Sequence, residues 1–216
     1  PNLQQIPARD PEIKKMIRGL FIPEDGAKWG SFDYASQEPR WLAHYCATLT
    51  GVRRDPQIDD VVRMYHEGNA DFHQMVADMA GVSRKEAKTV NLGIMYGMGK
   101  KKLAGTLDIT KEDAEGLLHK YHQKVPFVKG MADLAMNQAA DKGVIRTWLG
   151  RKCRFNLWEP RSYGYNRALP LEDAVKEYGG KGMIRRAFCY KALNRLIQGS
   201  SADQTKKAMV TCYEEG

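Results

Sequence analysis

Arg84 and Lys88 stand four residues apart, and Leu92 and Tyr96 continue the same step. In a helix these side chains fall on one slowly drifting stripe, with two cations one turn apart. Like charges at that spacing repel mildly, and an anion in front of them removes the repulsion and accepts several charge-assisted hydrogen bonds. A triphosphate fits that description. On spacing alone, a solvated basic face followed by core residues is the commoner case. Upstream, Asp33 closes an aromatic, Gly-bounded run from Lys28 to Tyr34 that reads as a strand. A carboxylate at a strand end can hold Mg²⁺ and so neutralise phosphate charge, although an isolated surface Asp is the commoner case.

These residues need elements to position them. Ser36 is placed to cap a helix carrying Trp41, Leu42, Tyr45 and Leu49 at helical spacing, with Pro39 tolerated in its first turn. A polar loop is expected near 51–59, then a helix around 70–80 with Phe72, Met75, Val76 and Met79 on one side and Gly81 at its end. Ser83 and Glu86 form a capping box that opens the helix bearing Arg84 and Lys88. Amphipathic helices follow over Lys111 to Lys124 and Val128 to Lys142. Val144 to Trp148 and Cys153 to Leu157 flank Gly150 as a hairpin, and Gly182 to Tyr213 reads as mostly helical. In the entry segment, Met16 to Ile22 reads as a short helix followed by a strand. The expected class is α+β, helix-dominated, with a small antiparallel sheet.

The 216 residues are 43% hydrophobic and 28% charged, which excludes a disordered or collagen-like chain. The formal net charge of +8 points to a polyanionic partner. No apolar run reaches the roughly 20 residues of a membrane span, and the start lacks the apolar core of a signal peptide. The expectation is an intracellular, cytoplasmic protein without a membrane partner. Because the chain has no initiating Met and ends in a helix-like stretch, a piece of a longer protein is expected. Cys46, Cys153, Cys189 and Cys212 have no metal-ligand spacing. His44, His66, His119 and His122 fall in no pattern.

The run from Arg84 to Gly97 resembles R-x-x-x-K-x-x-N-[aromatic]-G-x-x-Y-G, the fingers-helix motif of the DNA polymerase I family (family A DNA-directed DNA polymerases), at every position but one. The resemblance implies that Arg84 and the catalytic Lys88 grip the phosphates of an incoming deoxynucleoside triphosphate and that Tyr96 lies near the template base. Leu92 departs from the family's aromatic residue at the sugar and base. Phe32 to Arg40 is similar to the palm motif D-Y-S-Q-I-E-L-R, matching at Asp33, Tyr34, Glu38 and Arg40. This implies Asp33 as a catalytic metal ligand, the Tyr34 backbone as a second contact to metal, and Glu38 beneath the nucleotide sugar, where it excludes a 2′-hydroxyl. That position argues against an RNA-synthesising relative.

Other motifs follow in the family's order. Pro1 to Arg9 resembles PNLQNIPxR, implying that Arg9 contacts the primer end. Asp71-Phe72-His73 resembles D-[IL]-H, whose His helps bind phosphates. Thr147 to Arg154 resembles T-x-x-G-R-[RK]-R, placing Arg151 and Arg154 near the template. Asn194 to Asp203 resembles N-x-x-[VI]-Q-G-[ST]-[AS]-A-D, bringing Asn194 and Gln198 to the minor groove. The implied architecture is a partial right-hand polymerase fold with helix-rich fingers inserted in a palm. Residues 1–69 are the N-terminal part of the palm, 70–143 the fingers, and 144–216 the return toward the palm. The implied partners are primer-template DNA and deoxynucleoside triphosphates, and the implied cofactor is a pair of Mg²⁺ ions.

Two ions need more than one carboxylate. Asp33 is one, and the family's second, in a V-H-D-E hairpin, does not occur in these residues. The expectation is therefore that this piece alone is inactive and needs a downstream polypeptide segment. The alternative is a DNA-binding module without catalysis, which binds in a salt-sensitive manner and is indifferent to triphosphate.

Overall fold

The computed structural model describes residues 10–30, 32–48, 56–68, 71–95, 98–162 and 167–215. They fall into two units, 1–35 and 36–216. Arg9 and Tyr96, named above, lie outside the described residues.

In the first unit, helix α1 (Pro11–Arg18) starts where Asp10 accepts from the backbone N–H groups of Glu12 and Ile13 at 2.9 and 3.0 Å and Pro11 fits the first turn. The helix thus begins earlier than expected and stops at Gly19, and 20–22 are not a strand. Nor do the described residues of 28–34 form one. Their backbone is irregular: a strand needs a laddering partner, and the described residues of the first unit contain no strand.

The second unit is mostly helical. Helix α2 (Gln37–Thr48) begins immediately after Ser36, whose carbonyl accepts from Arg40 N–H at 3.1 Å, and it buries Trp41, Leu42 and Tyr45. Where a loop was expected to run to 59, helix α3 (Pro56–His66) already begins at Pro56 and buries Ile58 and Val61 against α2. Helix α4 (Phe72–Ala80) ends at Gly81 in the left-handed conformation (φ 62°), where glycine avoids the Cβ clash. Helices α5 (Arg84–Met95), α6 (Lys100–Leu107), α7 (Lys111–Lys124) and α8 (Pro126–Lys142) follow. α8 starts two residues before the expected Val128, since proline is suited to a helix's first position. It packs against α2, α5, α7 and α10 (Ala192–Glu214), so Phe127, Val128, Met131 and Ala135 form the middle of the core.

Strands β1 (Val144–Arg146) and β2 (Lys152–Arg154) pair antiparallel, with Val144 opposite Arg154 and Arg146 opposite Lys152. A three-stranded antiparallel sheet has the order β4-β3-β5, from β3 (Leu157–Pro160), β4 (Leu169–Pro170) and β5 (Ile184–Arg186); helix α9 (Leu171–Glu177) lies against β3. Residues 184–186 are therefore strand, not helix, because they pair with Trp158, Glu159 and Pro160. The class is α+β. Among the described residues no helix is long and apolar enough to cross a membrane.

Gly199, inside α10, faces the hairpin turn so closely that a Cβ would lie 2.6 Å from Thr147 Cγ2. Alanine in an exposed helix interior is favoured over glycine by roughly 1 kcal/mol. Here overpacking reverses the sign, and Gly199→Ala is expected to destabilise the chain by about 1–3 kcal/mol. A denaturant titration in which the midpoint rises instead contradicts this packing.

Candidate functional site

The first turns of α4 and α5 are brought together by their caps. Asp71 Oδ1 accepts from the N–H groups of His73 and Gln74, both at 3.1 Å, while its Oδ2 accepts from Arg84 Nε at 2.8 Å. Ser83 and Glu86 complete the expected box: Ser83 N–H donates to Glu86 Oε2 at 2.8 Å and Glu86 N–H to Ser83 Oγ at 3.2 Å. α5 buries Ala87, Val90 and Asn91, and Arg84 and Lys88, one turn apart at the margin of that buried face, are exposed. Leu92 is half-buried against the core. The result is a surface with two cations and His73 beside the positive ends of two helices, which suits an anion.

His73 is fixed from behind. The buried Tyr121 hydroxyl donates to Asn91 Oδ1 at 2.5 Å, which turns the Asn91 amide nitrogen toward His73 Nδ1, 3.0 Å away. Nδ1 is thereby an acceptor, and the neutral ring carries its proton on Nε2. Burial lowers the His73 pKa; Asp71 opposes this, and Lys88 and Arg84 reinforce it. The Arg84 hydrogen bond, aided by backbone N–H groups, holds the Asp71 carboxyl below its ordinary range.

A second constellation joins the hairpin turn to α10. Asp203, buried, accepts from the Thr147 hydroxyl and pairs with Arg151 at 2.8 Å. Arg151 also donates to the Gly199 carbonyl at 2.7 Å. Trp148 N–H donates to Ser200 Oγ at 3.2 Å, and Ser200 shares a 2.5 Å hydrogen bond with Tyr45. Arg151 is thus tied to α10, while Arg154 is exposed on the hairpin's outer face. There Lys142, Arg146, Lys152, Arg154 and Arg186 line an open cavity of about 300 Å³ that has no carboxylate in its lining. On α10 Asn194 is half-buried and Gln198 exposed, one turn apart.

Glu38 is half-buried in the first turn of α2. In the first unit, Asp33 and Tyr34 are exposed on irregular backbone. Among the described residues no group of three or more His, Cys, Asp or Glu is placed to hold a metal ion. Sequence reasoning assigned no role to Asp71, Asn91, Tyr121 or Asp203. The first carried a legible signal, an Asp directly before a helical run; Tyr121 carried none, since its partner is 30 residues away.

A family model described as DNA polymerase family A matches residues 1–216. A DNA-directed DNA polymerase of Pseudomonas phage M6 is 36% identical over 100% of this chain and 35% of its own length. The thermostable DNA polymerase I of Thermus thermophilus is 32% identical over 99% of this chain and 23% of its own. Among solved structures, the POL domain of Pol1 from M. smegmatis, in complex with DNA primer-template and dNTP, superposes with a TM-score of 0.67 at 27% identity. That match covers 97% of this chain and 33% of the neighbour. The chain therefore spans about a third or less of the relatives it matches.

The His73 geometry predicts two readings from NMR of the labelled imidazole. The midpoint lies below the ordinary 6.5, and the neutral ring is protonated at Nε2. Since the folded value is depressed, the stability that neutral His73 contributes is complete above 6.5 and lost as pH falls through the folded value. A midpoint above 6.5, or a proton on Nδ1, contradicts the geometry.

Proposed function

The chain belongs to DNA polymerase family A, and we propose that it forms the nucleotide-binding and part of the DNA-binding surface of an enzyme that extends a primer on a DNA template. In this reading the primer 3′-hydroxyl attacks the α-phosphate of a deoxynucleoside triphosphate and pyrophosphate leaves. His73, Arg84 and Lys88 hold the triphosphate. Leu92 and Tyr96 border the nascent base pair, and Glu38 lies against the sugar. Arg9, Arg151, Arg154, Asn194 and Gln198 face primer and template. Residues 1–69, 70–143 and 144–216 correspond to palm, fingers and return. The relatives come from phages and bacteria, and we place the enzyme in the cytoplasm of a bacterium or phage-infected host.

One observation carries the reading. Two of the exposed cations of α5, Arg84 and Lys88, share a surface with a histidine held as an Nε2–H donor, beside the capped first turns of two helices. Such a surface binds polyphosphate through charge-assisted hydrogen bonds and holds the reacting phosphorus in place, and positioning with charge neutralisation is most of what phosphoryl transfer requires. Support for the DNA role comes from the five cations around the hairpin cavity.

Magnesium would neutralise phosphate charge and polarise the attacking hydroxyl in such an enzyme. Asp33 is one carboxylate, and one carboxylate does not make a two-ion site. We place the remaining ligands on further sequence of the parent polypeptide.

Lys88→Ala in the parent polypeptide removes one charge-assisted contact, worth about 1.5–3 kcal/mol. It is expected to raise KM for deoxynucleotides roughly tenfold or more, with primer-template affinity unchanged. Equal losses of both affinities contradict the assignment, and retained DNA binding without any extension by the unsubstituted parent supports a non-catalytic module instead.

A further inference from the structure

Asp71 stands where the first turns of the two phosphate-facing helices meet through polar atoms, and Asn91 to His73 is a second such contact. Its Oδ1 accepts from His73 N–H, so it fixes the backbone that carries the histidine. Its Oδ2 takes Arg84 through Nε alone, at 2.8 Å. Among the described residues neither terminal nitrogen of Arg84 has a hydrogen-bond partner, so the guanidinium is held by its inner edge and presents its outer edge. A carboxylate that merely competed with phosphate for this arginine would take the fork of terminal nitrogens, where planar oxyanions bind bidentately. Asp71 leaves that fork open. Its charge repels an incoming anion, yet its geometry sets the spacing between His73 and Arg84 before the anion arrives, and prepositioned donors need no reorganisation when ligand binds.

We propose that Asp71 is a positioning residue for triphosphate binding, acting through Arg84 and the His73 backbone. The inference rests on the reading of Arg84 as a triphosphate ligand. It makes a counterintuitive prediction of sign: removing a negative charge beside an anion site weakens anion binding.

Asp71→Asn tests it, because Asn caps a helix as well as Asp does but cannot accept and neutralise Arg84 in the same way. Asp71→Ser, a second capping residue without a carboxylate, guards against an effect peculiar to Asn. In the parent polypeptide both variants are expected to raise KM for deoxynucleotides roughly tenfold, with thermal unfolding and primer-template affinity unchanged. In an Arg84→Ala background, Asp71→Asn is expected to have no further effect on KM. A fall in KM shows Asp71 to be a competitor and overturns the proposal. Independent, multiplicative effects of Asp71→Asn and Arg84→Ala also overturn it, since they show a cap acting apart from the arginine. If Arg84→Ala alone leaves KM unchanged, the triphosphate reading fails first and takes the inference with it.

Discussion

The site depends on the sidedness of α5. Burying Ala87, Val90 and Asn91 sets the rotation of the helix, and Arg84 and Lys88 then stand exposed at the margin of the buried face, on the side of the Asn91–His73 hydrogen bond. The buried side is a packing requirement, because a long charged side chain is almost never fully buried without a partner. The outer side is then positioned without cost to the core. Polar ties refine this arrangement: Asp71 links the first turn of α4 to that of α5, and Asn91 carries the fixed orientation of Tyr121 through to His73. Asn91 is the one residue that belongs to both systems, buried with the core and bonded to the site.

The same logic recurs at the hairpin. Thr147, Arg151 and Asp203 lock the turn onto α10, and Gly199 gives it room to approach. A locked turn presents Arg146, Lys152 and Arg154 on one outer face, as the β1-β2 register requires. Five cations around one cavity repel one another in the absence of a polyanion. The basic surplus of the chain is therefore concentrated on a surface, not merely a property of its composition.

What could be read beforehand was local. The Ser83–Glu86 box, the Gly81 stop, the helix from Lys111 to Lys124 and the hairpin around Gly150 each rest on residues within one or two turns of each other, and the structure has all four. Elements set by distant partners were not legible. The run 184–186 has the look of a helix until β3 pairs with it, and Arg186 then donates to the carbonyls of Ala140 and Phe155. The run 28–34 has strand composition, yet the described residues of its own unit contain no strand. α6 was missed because three consecutive lysines and a glycine blur its periodicity. At the site, motif resemblance named the side chains that face a ligand, while of the ones that hold them Asp71 carried a local capping signal and Tyr121 and Asp203 became visible only through contacts far apart in the chain.

The most direct measurement is a titration of deoxynucleoside triphosphate into the isotopically labelled chain, followed by backbone amide and histidine NMR signals. The account predicts saturable shifts concentrated at His73, Arg84 and Lys88 and absent when Arg84 and Lys88 are both replaced by alanine. Shifts confined to the basic hairpin around Arg146, Lys152 and Arg154, and insensitive to that double substitution, would contradict it.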